Sequence, residues 1–470
     1  MSSGYGIGSL ILLAIYLVYL LGIGYRLFSR NRDSAEEYLL MGRRLTLPAF
    51  IASAVSTWYG GILGVGEYSF KHGISNWLVF GLPYYLAALL FAIFLAGRAR
   101  QSGHYTIPDQ LALVYGRPAA VSGAVLVFIN AAPAAYILQI GVLAQYVFGM
   151  PLAVGVAAGA LFSIVYVYSG GLRGDVYSDI LQFFLMFAGF AVMLIFLVSE
   201  FGGTGFLQSK LPATSFNWRG DRPATYIFAW YFIALSALVE PSLYQRCFAA
   251  RDERTARRGL LLSIPLWAVF DFMTTFTGMY ARALLPDLAD PMMSYPALAA
   301  MVLPEIFKGV FLVGLFATIM STVDSYTFVS GTTIGKDIIL RLHKKMPESK
   351  TITLYSRLGL IFSAAMAVLI ALLLRSVIDI WYIFGTLSTC ALLLPVASSF
   401  SPSWRMTSRG ATTAIAASGL TVIGWFLIGH FGEDYPGAID PIYPGLVVSL
   451  LIYVLDRAIG RTGRTTNHGA

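Results

Sequence analysis

Four carboxylic acids, Asp179, Glu240, Asp271 and Asp324, stand inside stretches of chain that are otherwise apolar. A carboxylate in hydrocarbon surroundings is costly unless it is paired or hydrated, so each marks a candidate site. The densest chemistry surrounds Asp324, in Thr318-Ile-Met-Ser321-Thr322-Val-Asp324-Ser325. At about 100° per residue, Ser321 and Ser325 share a helix face, with Thr318 and Thr322 one turn apart beside it. Hydroxyl and carbonyl oxygens at that density, next to an acid, suit a hard monovalent cation such as Na+. Soft-metal ligands are scarce: Cys247 and Cys390 lie beside or within apolar runs, and His72, His104, His343, His430 and His468 fall at segment edges or loops. No Lys or Arg is read at comparable depth, so the charge neutralising these acids is expected to be protons, metal cations or a cationic substrate.

The elements that must position these groups follow from composition. The 470 residues are 57% hydrophobic and only 12% charged, with mean hydropathy +0.72, against about 25% charged residues in ordinary soluble domains. An all-α polytopic membrane protein embedded in the lipid bilayer is expected. A crossing helix needs about 20 apolar residues, and thirteen such stretches lie near 5–28, 46–70, 74–97, 118–149, 151–170, 175–200, 224–245, 258–285, 305–334, 352–374, 377–400, 409–430 and 440–460. On alternating loops, one side holds only Lys71, Lys210, Arg219, Arg222, Arg282, Lys308 and Arg375 of the 32 basic residues. The other side holds the rest, including Arg30, Arg32, Arg246, Lys344 and Lys345. The positive-inside rule then places the N-terminus outside and the C-terminus in the cytoplasm of a plasma-membrane protein. The basic balance is a topology signal, so nucleic acid is not an expected partner.

Two spans carry signs of interruption. In the second, Ser53-Ala-Val-Ser-Thr-Trp-Tyr-Gly-Gly61 runs into a glycine pair; in the seventh, Glu240-Pro241 breaks an apolar run. Proline removes a backbone donor and frees a carbonyl, and paired broken helices mark the binding site of many transporters. The breaks are five spans apart, which divides the chain into residues 1–45 (an extra helix and loop), a first five-helix repeat at 46–200, an outer loop at 201–223, a second repeat at 224–400, and two further helices with a tail at 401–470. Five spans per repeat invert the second repeat relative to the first.

These residues resemble those of the sodium:solute symporter family, relatives of the sodium/proline, sodium/pantothenate, sialic acid and sodium/sugar cotransporters. The likeness rests on Ala52-Ser-Ala-Val-Ser-Thr-Trp-Tyr-Gly-Gly61, Tyr105-Thr-Ile-Pro-Asp109, Ser169-Gly-Gly-Leu-Arg173 with Tyr177-Ser-Asp-Ile-Leu-Gln182, Glu240-Pro-Ser-Leu-Tyr-Gln-Arg246, and Met320-Ser-Thr-Val-Asp-Ser325. The resemblance implies a LeuT-like 5+5 inverted-repeat core with one extra N-terminal and two extra C-terminal helices. It also implies a main sodium site at Ala54, Thr57, Thr318, Ser321 and Thr322. Some members add a second site, which would use Ser321, Asp324, Ser325 and Asp179 here. Asp324 stands where certain members carry Ser, and Glu240 where many carry an amide, so sodium count and solute stay open.

The resulting expectation is a sodium-coupled symporter, working as a monomer, that imports a small organic solute bound beside Ser53, Ser56 and Glu240. Trp58, Tyr59, Trp230 and Tyr231 flank the breaks as gates. Unpaired acids without a deep base lean the solute toward an amino acid or another amine-bearing or zwitterionic molecule. Proton coupling through Asp179, Asp271 or Asp324 is the nearest alternative. A membrane-embedded sensor would need a signalling domain beyond residue 460. An enzyme would need a nucleophile with a base, or a metal pair, at one depth; neither pattern is present, so the protein is read as not an enzyme.

Overall fold

The computed structural model describes residues 4–28, 34–342, 348–432 and 435–465. Arg30, Arg32, His343, Lys344, Lys345 and His468, read above into loops, lie outside the described residues. In lipid every backbone amide needs a partner within its own segment, and the described residues form helices joined by short connections, with a lone bridge between Leu45 and Ala250 instead of strands.

The principal helices are α1 (Ile7–Phe28), α2 (Leu47–Trp58), α3 (Ile62–His72), α4 (Leu82–Phe94), α5 (Arg117–Asn130), α6 (Ala134–Phe148), α7 (Leu152–Phe201) and α8 (Ala224–Ile233). They continue with α9 (Pro241–Ala249), α10 (Glu253–Leu284), α11 (Glu305–Thr332), α12 (Ser349–Leu374), α13 (Val377–Ser399), α14 (Ser408–Phe431) and α15 (Ile442–Thr465). Eleven continuous stretches among the described residues are long and apolar enough to cross a membrane, or twelve when α2 and α3 count as one bent span. The count of thirteen is recovered at α7. Its 50 residues would reach about 75 Å at 1.5 Å per residue, far beyond a bilayer core of about 30 Å. The chain turns inside it at Gly171, where φ is 57° and ψ is −160°, a conformation open to glycine. A Cβ there would lie 2.7 Å from the Tyr38 carbonyl oxygen.

Both anticipated breaks are present. α2 and α3 diverge by 56° across Tyr59-Gly60-Gly61, and α8 tightens into a 3-10 turn over Ala234–Val239 before Glu240 takes an extended conformation ahead of α9. A third break was not anticipated: α5 and α6 make one apolar stretch parted at Ala131-Ala132-Pro133. The freed amide of Leu63, at the start of α3, is satisfied by the Gln139 side chain of α6 at 2.8 Å, as a buried donor requires.

Burial ranks the helices by position. The span built on α11 is 78% buried, against 28% for α1 and 17% for α15, so α11 is central and the other two face lipid. α7 and α11 share the most extensive packing, and α2 lies against both.

Candidate functional site

The broken α2 meets the hydroxyl face of α11 at mid-helix. Ser321 Oγ donates to the Ser56 carbonyl at 2.9 Å and to the Thr318 carbonyl at 3.0 Å, while Thr322 Oγ1 donates to the Thr57 carbonyl at 2.6 Å. Thr318, Ser321 and Thr322 are fully buried. Thr318 turns its own hydroxyl back to the Gly314 carbonyl, while its carbonyl accepts from Ser321. Gly60 makes the approach possible, since a Cβ there would lie 2.1 Å from Thr322 Oγ1. Thr57, Thr318, Ser321 and Thr322 are thus joined directly. Ala54 is buried in α2 one turn earlier, and the Ser56 carbonyl, absent from the expected set, takes part.

The expectation that no base reaches the depth of these acids is overturned. Arg246 is fully buried, and its guanidinium donates to Ser53 Oγ at 2.8 Å, Thr57 Oγ1 at 2.6 Å, Ser325 Oγ at 2.7 Å and Asp179 Oδ2 at 3.1 Å. Asp175 Oδ2 lies 3.5 Å away. The physical reason is the break itself: after Glu240-Pro241 the short α9 stays inside the protein, so a residue that hydropathy assigns to the basic loop is carried to the level of α2 and α11. Asp179 is therefore paired within the chain. Asp175, which sequence reasoning missed, accepts from Ser325 Oγ at 2.8 Å; its position one turn before Asp179 on the same helix was the available signal.

The second ion-binding set is not assembled as expected. Ser325 and Asp179 gather at Arg246, but Asp324 points to another part of α7, where Ser163 Oγ donates to it at 2.7 Å. Asp271 accepts from the Tyr85 hydroxyl of α4, which comes from a distant part of the chain.

Between the breaks lies a cavity enclosing about 910 Å³ of empty space, its mouth included. Three of the seven expected solute residues line it: Trp58, Tyr59 and Glu240. Ser53 belongs to the Arg246 cluster and Ser56 bonds to the Ser53 carbonyl. Trp230 packs edge-on to Phe80 at 4.6 Å between ring centroids and Tyr231 is half-buried off the cavity, so those four stand behind or beside the wall. The wall adds Asn130 from the third break, Asp271, Trp381 and the pair Tyr136–Tyr326, whose centroids are 5.0 Å apart. Glu240 caps α9 through the Ser242 amide at 3.2 Å. The lining carries two carboxyl groups, Glu240 and Asp271, and no Lys, Arg or His.

At the far end of α11, where the helix continues as a π-helical segment over Thr333–Leu340, an ionic cluster ties it to the short helix Ile107–Tyr115. Lys336 Nζ bonds Asp109 Oδ1 at 2.6 Å and Asp337 Oδ1 at 2.8 Å, and Arg341 bonds Asp109 at 2.6 Å. Burial raises the Asp109 carboxyl, but Lys336 and Arg341 outweigh it and hold it at about 2, below its ordinary 3.8. Nearby, Arg43 donates to the Phe248 carbonyl at the end of α9 at 3.2 Å.

Known proteins share this chain's sequence pattern and fold. The family model of the sodium:solute symporter family matches residues 38–417. The chain is 26% identical to a sodium/pantothenate symporter of Escherichia coli (strain K12), covering 95% of this chain and 96% of that one. It is 24% identical to an osmoregulated proline transporter of Bacillus subtilis (strain 168), covering 94% of each. Among solved structures, a Na+-coupled sialic acid symporter in a substrate-bound outward-open state superposes with TM-score 0.79 at 18% identity, covering 96% of this chain and 97% of that one. Mhp1, a nucleobase-cation-symport-1 family transporter, gives 0.59 at 12% identity over 92% and 96%. The fold is the LeuT-like inverted-repeat fold, and the multi-pass chain belongs to the sodium:solute symporter family.

Proposed function

We propose that this protein is a sodium-coupled symporter that imports a small organic solute by alternating access across the plasma membrane. The observation that carries the reading is the meeting of the Ser321 and Thr322 hydroxyls with the Ser56 and Thr57 carbonyls, 2.6–2.9 Å apart, where two core helices cross. Na+ binds there as cargo, held by the Ala54, Thr57 and Thr318 carbonyls and the two hydroxyls. It ties α2 to α11 and so favours the state in which the cavity beside Trp58, Tyr59 and Glu240 is formed. Ion and solute favour the same state, and that coupling is reciprocal. One Na+ crossing 100 mV supplies about 2.3 kcal/mol from the potential alone. The repeats run over 46–200 and 224–400, with the N-terminus outside and the C-terminus in the cytoplasm, and a single chain holds the whole site.

Solute class follows from the cavity wall. Two carboxyl groups, several aromatic faces and no basic side chain suit an ammonium group held by charge and cation–π attraction, hence an amino acid or another amine-bearing solute. Because Asp179 is paired to Arg246, the lean rests on Glu240 and Asp271 alone. The test is a solute-uptake screen in proteoliposomes under an imposed Na+ gradient, with an H+ gradient as the second arm. Accumulation driven by Na+ is expected; accumulation driven only by H+ would remove the sodium assignment.

A further inference from the structure

The cluster around Arg246 is a cation site whose cation is part of the chain. Ser53 and Thr57 of α2, Asp175 and Asp179 of α7 and Ser325 of α11 turn five side-chain oxygen groups toward one point, each residue at most 3% exposed. All three hydroxyls accept from the guanidinium. Ser53 donates its proton to Asp179 and accepts from Arg246 Nε. Ser325 donates to Asp175 and accepts from Arg246 Nη2. Thr57 Oγ1 accepts from the same Nη2 and lies 3.2 Å from Ser325 Oγ and 3.4 Å from Asp179 Oδ2. Each of the three hydroxyls thus turns a lone pair to the centre, as oxygens around an alkali ion would.

The α2–α11 junction, one turn of α11 away, is arranged differently. Ser321 and Thr322 send their protons to backbone carbonyls, and among the described residues no N–H donor reaches either hydroxyl oxygen. Thr57 belongs to both places, with its carbonyl at the junction and its hydroxyl at Arg246. Two adjacent oxygen-rich positions therefore share a helix, and one of them already holds a tethered, permanently charged guanidinium.

We infer that Arg246 takes the place of a second alkali ion, so that the transport cycle moves a single Na+ with each solute. The inference rests on the symport reading above. A guanidinium anchored on α9, six residues after Glu240, cannot leave with the cargo. An incoming Na+ at that position would meet both its charge and N–H groups already bonded to Ser53, Thr57, Asp179 and Ser325. The openings left to a further cation are Asp179 Oδ1 and, toward Ser163, Asp324 Oδ2, which accept no hydrogen bond among the described residues, and a count of bound ions decides whether either is used.

The experiment measures radioactive Na+ and solute fluxes together in proteoliposomes, and counts Na+ bound to purified protein for the wild type and for Arg246→Met. One Na+ per solute, and one Na+ bound in the wild type rising to two in R246M, are expected. Two Na+ per solute in the wild type would overturn the inference while leaving sodium symport intact; so would a folded R246M protein that still binds one. Solute uptake with no Na+ movement would instead overturn the symport reading. Where R246M does not fold, the wild-type flux ratio alone decides the matter.

Discussion

Arg246 donates to the Thr57 hydroxyl at 2.6 Å while the carbonyl of that same threonine accepts from Thr322, also at 2.6 Å. One residue of the broken helix therefore faces the resident cation with its side chain and the proposed sodium position with its backbone. Thr57→Val keeps the shape and the carbonyl but removes a charge-assisted bond in a dry site, which costs about 1.5–3 kcal/mol. The expected outcome is a lower unfolding temperature and weaker Na+ binding, with Thr57→Ser restoring both. Equal Na+ affinity in all three proteins would show that the two sides of Thr57 act independently.

Gly60 controls how closely α2 and α11 approach. A Cβ at this position would sit 2.1 Å from Thr322 Oγ1 and 2.2 Å from Thr322 Cβ, so Gly60→Ala must push the helices apart. Overpacking of this kind costs about 1–3 kcal/mol, and Na+-driven uptake should be lost. Gly424, in α14, has nothing within 4 Å of the place an added methyl group would take; Gly424→Ala should leave uptake unchanged and raise stability by about 0.4–1 kcal/mol. Thermal unfolding and initial uptake rates of the two variants check both halves.

Much of this arrangement was legible in the sequence because membrane insertion leaves few choices. Apolar length marks the spans, and Gly60-Gly61 and Glu240-Pro241 mark two breaks since glycine and proline are where a buried backbone can open. Hydroxyls at helical spacing from Thr318 to Ser325 mark the face of α11. What stayed hidden depends on tertiary placement. Arg246 reads as a loop base by hydropathy, and only the inward course of α9 shows that it is buried. Asp324 lies one residue from Ser325, yet about 100° around the helix takes it to Ser163 instead of Arg246. Trp381 and Asn130 reach the cavity wall from spans whose sequences carry no local sign of a site.

Ion and solute variants should separate in their kinetics. Ser321→Ala and Thr322→Ala remove oxygens of the proposed sodium position and should raise the Na+ concentration for half-maximal uptake by tenfold or more, equivalent to about 1.4 kcal/mol, with solute KM restored at saturating Na+. Glu240→Gln should raise solute KM at every Na+ concentration. Asp271→Asn, on the cavity wall beside Tyr85, should weaken Na+ dependence less than either α11 variant. Uptake measured over a grid of Na+ and solute concentrations distinguishes the patterns, and the reverse order would contradict the site placement.

The ionic cluster at the end of α11 makes a pH prediction of definite sign. Asp109 is held at about 2 in the folded protein against an ordinary 3.8, so its ionised form binds Lys336 and Arg341 more strongly than it would interact in the unfolded chain. A depressed carboxyl contributes stability that is fully present above its unfolded value, near pH 4, and is lost as pH falls toward about 2. The unfolding temperature of purified protein should therefore fall between about pH 4 and pH 2 more steeply in the wild type than in Asp109→Asn, where this carboxyl no longer titrates. The same substitution leaves Lys336 and Arg341 with Asp337 alone, loosening the tie between α11 and the Ile107–Tyr115 helix. If that tie holds the basic face closed during the cycle, Asp109→Asn should also increase the labelling, from that face, of a cysteine introduced at Thr332, which lines a small pocket beside Gln245 and Phe248. Unchanged labelling together with an unchanged pH profile would show that the cluster neither stabilises the fold nor gates the path.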